Sequence, residues 1–243
     1  MDLDDVIEIL HHSSNLVDCS FGFNYQKRGT AHPLVHLPHL AKLAIETQMS
    51  PANLFDWLVV PRLRNLDVLL DYCGDDNDMG TVWWDWLEPL LLLIFRSSCS
   101  IQSFSFKTRD INFNADDLTR CLQAMPALQD LTLDLNREGN DAIENILCCL
   151  THRSAEPCIL PKLVYFDLNL WWVSSKCKLL LDMIQSRWRM VHFDGVGVLD
   201  KPTVDVACLQ VVILRGMDSS RDSSLLACLR KFKDEGMRID LWD

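Results

Sequence analysis

One spacing recurs along this chain: an apolar residue, a second three positions on, and a third two beyond that. The clearest copy is Leu128, Leu131 and Leu133, with Pro126 two residues ahead of it. Leu40, Leu43 and Ile45 follow Pro38, Leu63, Leu66 and Val68 follow Pro61, and Leu163, Phe166 and Leu168 follow Pro161. Ile101, Phe104 and Phe106 keep the spacing without the proline, as do Leu209, Val212 and Leu214, and Leu16, Cys19 and Phe21 form a weaker first copy. In an extended strand side chains alternate, so the second and third positions share a face. A proline has no N–H to give a ladder, which predicts that each strand starts there. A short strand repeated this often restricts the fold severely. No copy can bury its apolar face alone, so the copies must stack.

The spacing is the L-x-x-L-x-L of a leucine-rich repeat. Successive copies begin 24, 23, 38, 27, 35 and 46 residues apart. Typical repeats run roughly 20–29 residues, so three intervals fit and three carry insertions. The reading is an α/β fold: one leucine-rich-repeat domain over residues 1–243 with about seven irregular repeats. Its parallel sheet would line the concave side of a curved solenoid, with helices on the convex side. Met237, Ile239 and Leu241 alternate as a last strand that would cap the stack.

Between the copies the period changes to that of helices. Leu3, Val6, Ile7 and Leu10 form one helical face, with Asp4 and Asp5 in the first turn. Residues 22–36 read as a loop. Ser50 and Pro51 read as N-cap and first helical residue. Asp71 to Gly80 reads as an acidic loop, and Val82 to Ser97 as an unusually apolar helix that Pro89 would kink. Trp83, Trp84 and Trp86 offer more aromatic surface than one helical stripe buries, which leaves core and interface open for them. Asn114 caps a helix with Leu118, Cys121, Leu122 and Met125 inward, and Asn140 another with Ile143, Ile146, Leu147 and Leu150 inward. Ser174 or Ser175 opens a helix carrying Leu179, Leu180, Met183, Ile184 and Trp188; residues 190–206 form an insertion with room for an extra strand. Leu225, Cys228, Leu229 and Phe232 belong to a final helix that stops at Gly236.

Composition narrows the function classes. The net charge of −11 opposes nucleic-acid binding, where basic patches dominate affinity, and no basic run suits an anionic membrane surface. The longest apolar run, Leu90 to Phe95, is far below the roughly 18–20 residues of a membrane span. Ten cysteines contain no C-x-x-C, and Cys121 and Cys228 fall on core helical faces. With Asp2, Asp4 and Asp5 where a signal peptide is basic, and no glycosylation sequon, the expected setting is intracellular, cytoplasmic or nuclear.

No motif calls for a cofactor or a metal. His32, His36 and His39 have helical metal-site spacing, but Pro33 and Pro38 break any helix there. Asp75, Asp76, Asn77 and Asp78 resemble a calcium loop, yet Met79 stands where an oxygen ligand is needed. Cys148 and Cys149 lie beside a core helix and read as inert thiols. No nucleophile elbow, phosphate loop or dinucleotide fingerprint is present, so nothing speaks for an enzyme.

Longer phrases accompany the strand copies: Ile9 to Ser20, Ile94 to Ile101, Leu180 to Arg189 with its Ser186-Arg187-Trp188, and Phe232 to Met237 with its Glu235-Gly236. Together they make nearly the whole chain resemble the leucine-rich-repeat region of the F-box protein family of mushroom-forming fungi. The resemblance implies the substrate-recognition part of a cullin–RING ubiquitin ligase subunit, in which an F-box binds the adaptor and the repeats bind the target. The first repeat helix begins almost at Met1, so adaptor binding is expected only if an F-box exists outside this chain.

On each strand the residues between the apolar positions would line the concave face. They include Glu46, Asp67, Lys107, Asp130, Thr132, Asp134, Tyr165, Asp167, Asn169 and Arg215, with Trp171 just past a strand end. Acids outnumber bases, and aromatic residues lie among them. That composition suits a protein partner with a basic segment; a solvated acidic sheet is the bland alternative. The expected function is a non-catalytic protein-recognition scaffold. The competing expectations are a truncated or structural paralogue with no retained partner, and a repeat protein that self-associates through its end strand.

Overall fold

Each recurring phrase forms one strand, and the strands pair in the order in which they occur. The structure is a computed structural model that describes residues 1–25, 32–71, 82–83, 85–109, 111–112, 114–135, 140–152, 158–169, 177–188, 206–216 and 223–242. The elements run α1 (Leu3–His11), β1 (Asp18–Phe23), β2 (Val35–His36), β3 (Lys42–Thr47), α2 (Ala52–Trp57), β4 (Leu58–Val59), β5 (Asn65–Asp71), β6 (Val82–Trp83), α3 (Leu87–Ser97), β7 (Ser103–Arg109) and β8 (Ile111–Asn112). They continue with α4 (Ala115–Gln123), β9 (Asp130–Asp134), α5 (Asn140–Leu150), β10 (Tyr165–Asn169), α6 (Cys177–Trp188), β11 (Val211–Arg215), α7 (Ser223–Asp234) and β12 (Arg238–Trp242). An eight-stranded sheet has the order β1-β3-β5-β7-β9-β10-β11-β12, all pairs are parallel, and the sheet does not close. The fold is α/β.

Register converts the sequence spacing into rows. Cys19, Leu43, Leu66, Phe104, Leu131, Phe166, Val212 and Ile239 lie opposite one another across the sheet. Phe21, Ile45, Val68, Phe106, Leu133, Leu168, Leu214 and Leu241 form the second row. The interior members of both rows are buried with the inward faces of the helices in one cluster. A slip of one residue anywhere would turn a strand's apolar set to solvent, so this patterning fixes the register.

The prolines act one step earlier than the sequence reading placed them. Leu40 N–H donates to the Leu37 carbonyl at 3.2 Å, Leu63 to Val60 at 3.1 Å, Leu128 to Met125 at 3.0 Å and Leu163 to Leu160 at 3.1 Å. Pro38, Pro61, Pro126 and Pro161 are therefore the second residues of four-residue turns, and each strand begins four residues after its proline. A fixed φ near −65° suits that turn position. In these four copies the first apolar residue closes the turn, and the other two enter the strand.

One backbone contact repeats beside the turns. The Val17 carbonyl accepts from the N–H groups of Ala41 and Lys42 at 2.7 and 3.1 Å. Ala41, Arg64, Gln102, Gln129 and Val164 each accept in the same way from two consecutive N–H groups leading into the next strand, and Gln210 accepts from Arg238.

The helices match the expected inward faces, with shifted starts. The apolar segment expected as one helix from Val82 is broken, because β6 pairs with β8 and α3 starts only at Leu87. Pro89 thus lies in the first turn, where no intrahelical N–H bond is lost, and makes no kink. Trp86 is core: it is fully buried, 6.1 Å from the Phe55 ring and 4.9 Å edge-on from Phe106. Helix α2 starts at Ala52 with Pro51 at the N-cap, although Ser50 Oγ still accepts the Ala52 N–H at 3.4 Å. Asn114 caps α4 as expected, its side chain accepting from Asp116 N–H at 3.0 Å. Asn140 is the first residue of α5, and α6 begins at Cys177. The end of α7 is a Schellman turn: Met237 N–H donates to Phe232 O and Gly236 N–H to Lys233 O, both at 3.0 Å, with Gly236 at φ 105°. The acidic loop 71–80 beyond Asp71, Ser174 and Ser175, and the insertion from 190 to 205 lie outside the described residues.

Two arginines tie helices to the backbone of the preceding repeat. Arg96 on α3 donates to the carbonyls of Leu58, at 2.8 and 3.1 Å, and Phe55. Arg187 on α6 is completely buried and donates to Leu150 O at 2.6 Å, Leu160 O at 3.0 Å and Ile159 O. Trp188, next to it, is half-buried, with its indole N–H on Glu235 at 2.9 Å. No helix among the described residues is long and apolar enough to cross a membrane.

Candidate functional site

The polar face of the sheet carries three further rows, which the register fixes as firmly as the core. Asp18, Lys42, Asn65, Ser103, Asp130, Tyr165, Val211 and Arg238 form the first. Ser20, Ala44, Asp67, Ser105, Thr132, Asp167, Ile213 and Asp240 form the second. In the third, Gly22, Glu46, Leu69, Lys107 and Asp134 are in register, and Asn169, Arg215 and Trp242 continue it on β10, β11 and β12. Ten of the eleven residues picked from the sequence thus share this face. The eleventh, Trp171, lies outside the described residues.

They do not all remain open to a partner. Asp167 is only 2% exposed, and Arg215 grips it with two hydrogen bonds, Nε to Oδ1 at 3.1 Å and Nη2 to Oδ2 at 2.6 Å. Asp167 is therefore an anchor for Arg215, not a contact residue. A carboxylate this buried needs a charged partner, and a planar guanidinium supplies two donors in one plane. That bond is also the main reason the Arg215 pKa is raised. Tyr165 Oη reaches Asp167 Oδ2 at 3.4 Å, and burial first, then the Asp167 charge, pushes the phenol pKa up. Asn169 donates to Asp134 Oδ1 at 2.8 Å, which orients that carboxylate. Arg215, Tyr165 and Asn169 are thus held in place from below and from the side.

The charge left on the face is acidic. Asp18 lies 3.6 Å from Lys42, and Arg238 pairs with Asp240 at 2.9 Å. With those pairs and Asp167–Arg215 set aside, Glu46, Asp67, Asp130 and Asp134 are set against Lys107 in the three rows. Partial burial raises the Asp130 pKa. Thr132 stands between Asp130 and Asp134 on β9 and completes a half-exposed strand surface of alternating carboxylates and hydroxyl. Such a surface can accept hydrogen bonds from, and pair with, several cationic side chains at once.

Groups that would do covalent chemistry are placed elsewhere. Burial pushes the Cys99 pKa up to about 11 and Cys121 to about 12, which leaves little thiolate at neutral pH. His32 is occupied by Asp4, at 2.8 Å, and packs edge-on against Trp57 at 4.6 Å. Among the described residues no three His, Cys, Asp or Glu side chains come together as a metal site; Asp75, Asp76, Asn77 and Asp78 lie outside them.

Sequence reasoning missed the Asp167–Arg215 clamp. The register partner of Asp167 is Ile213, and Arg215 is two positions further on, a diagonal neighbour. A carboxylate in one copy and a cation two places later in the next copy was the available signal. Compared with protein-family models and with curated proteins, the chain gives no match.

Proposed function

We propose that the chain is a leucine-rich-repeat solenoid that recognises a protein partner on the polar face of its sheet, through an acidic surface centred on β9 and β10. The observation that carries this reading is the excess of carboxylates on the polar face, with Glu46, Asp67, Asp130 and Asp134 spread over its three rows against Lys107, beside Tyr165 and the Arg215 that Asp167 holds. Anchored aromatic and arginine side chains are the usual centres of binding energy, and surrounding charges steer the partner and fix its orientation. The favoured ligand is a segment rich in lysine and arginine. Asp167 contributes by holding Arg215, and Lys107 and Thr132 lie in the same rows as polar contacts. The proposal extends to substrate recognition in a cullin–RING ubiquitin ligase on the strength of the family resemblance; adaptor binding then requires an F-box outside residues 1–243.

The test uses an array of lysine- and arginine-rich peptides and the double variant Asp130→Lys, Asp134→Lys. Both positions are on the solvent side of β9, and far-UV circular dichroism checks that the variant folds. Peptides that bind the native chain should lose at least about tenfold in affinity with the variant, about 1.4 kcal/mol, and native binding should weaken as salt rises. Equal binding to both proteins, or binding indifferent to salt, would remove the acidic rows from the reading.

A further inference from the structure

Among the described residues no further strand pairs with the two end strands of the sheet, β1 and β12, and these edges complement each other. The two core rows lose burial only there. Cys19 and Phe21 are half-buried and Leu241 is 44% exposed, whereas the Leu43, Ile45, Leu214 and Val212 positions beside them are closed. Large apolar side chains lie open on the elements at both ends: Ile9 on α1 and Val17 just before β1, Val17 at 59%, and Leu241 and Trp242 on β12, Trp242 at 62%. Beside β12 a groove of about 530 Å³ runs along α7, lined by Leu226, Leu229, Arg230, Lys233, Arg238 and Trp242 among others. Arg230 and Lys233 on α7 make its α7 side basic, while Arg238 is paired with Asp240 on the strand side. The other end is acidic, with Asp5 and Glu8 on the solvent side of α1 and Asp18 at the start of β1.

The backbone matches as well. The carbonyl before each strand accepts the two N–H groups leading into the next, from Val17 through Val164. The next acceptor in that series, at the β12 edge, is the Met237 carbonyl. The N–H groups of Val17 and Asp18 are the corresponding donors at the β1 edge.

We infer that the chain binds a second copy of itself head to tail, β12 of one copy pairing in parallel with β1 of the next. Continuing the register places Arg238 opposite Asp18, Ile239 opposite Cys19, Leu241 opposite Phe21 and Trp242 opposite Gly22, where no side chain obstructs the indole. Both core rows then run unbroken through the junction, and the basic rim of α7 meets the acidic α1. Open strand edges are the usual sites of such pairing. The contact joins two different surfaces, so it repeats and builds chains of molecules rather than a closed pair. It uses none of Glu46, Asp67, Asp130 and Asp134, so it stands or falls separately from the recognition proposal.

The test is sedimentation velocity on the 243-residue chain and two variants, Ile9→Asp with Val17→Asp at the β1 edge and Leu241→Asp with Trp242→Asp at the β12 edge. Ile9, Val17 and Trp242 are more than half exposed and Leu241 is 44% exposed, so folding should survive, which far-UV circular dichroism checks; Trp242→Ser alone replaces the β12 variant if it does not. The native chain should grow in mass with concentration, and high salt should oppose this. Each variant alone should remain a monomer. An equimolar mixture should form a 1:1 dimer and nothing larger, because one good edge remains on each partner. A native chain that stays monomeric throughout would overturn the inference. So would dimers of the β1-edge variant alone, which would mean that two β12 edges pair, or a folded mixture that stays monomeric.

Discussion

Replacing Arg187 with methionine should destabilise the fold by several kcal/mol, because three buried carbonyls lose their donor at about 1–3 kcal/mol each. The guanidinium is fully buried on α6, and its described partners are the carbonyls of Leu150, Ile159 and Leu160 and the Cys158 thiol at 3.5 Å. Burial pulls the arginine pKa down, against the local contribution of Cys158. Carbonyls from the end of α5 and from the turn before β10 thus replace the water that the charge has lost. Methionine fills most of the volume but donates nothing, and each carbonyl left dry costs about 1–3 kcal/mol. Leu160 adds to the effect. Its φ of 53° is left-handed, which a leucine adopts only when its surroundings hold it there, and the Arg187 bond is part of that hold. Arg187→Lys should lose less than the methionine variant, since one ammonium cannot span a forked set of carbonyls. Urea unfolding followed by tryptophan fluorescence measures both. A change below about 1 kcal/mol for Arg187→Met would show that the carbonyls find water and that the arginine does not organise this junction.

Phe106→Ala should cost a similar amount, about 3–5 kcal/mol. Phe106 is fully buried in the second core row, edge-on to Trp86 at 4.9 Å and stacked over Phe104 at 6.5 Å. Trp86 in turn lies 6.1 Å from Phe55 on α2. This line of rings joins α2, the start of α3 and β7, so the alanine cavity opens where three elements meet. Part of the loss is the edge-to-face pair, about 0.5–1.5 kcal/mol beyond burial. Phe106→Leu keeps most of the volume and should cost less than about 1.5 kcal/mol. Because Trp86 is dry in the native fold, its emission should move to the red in the alanine variant before any unfolding. An unshifted spectrum with native stability would mean that the neighbours collapse into the space, and that the ring line is not structural.

The parallel ladder was legible in the sequence because the apolar spacing and the strand period coincide. Leu131 and Leu133 can share a face in only one register, and the same holds for the other copies, so the polar rows followed without further information. The turn role of Pro126 was not legible: lacking an N–H suits a strand start and a turn equally, and only the Leu128–Met125 hydrogen bond distinguishes them. Helical periodicity also ran past the true start of α3, since Val82 and Trp83 are drawn into a two-residue pairing with Ile111 and Asn112. Charged residues were the hardest. Asp167 and Arg215 are 48 positions apart and meet only because β10 and β11 are neighbours. Arg187 reads as a surface residue at the end of a helix until the carbonyls of the preceding loop are placed around it.

The central claim is that the acidic rows of the sheet are a recognition surface. Carbodiimide labelling of carboxylates, with and without a saturating lysine- and arginine-rich peptide selected on the array, tests it most directly. Glu46, Asp67, Asp130 and Asp134 should be protected together when the peptide is bound, while Asp116 on the exposed side of α4 continues to react as in the free chain. Protection of Asp116 with the four sheet carboxylates still reactive would place the binding surface on the helical side and contradict the claim.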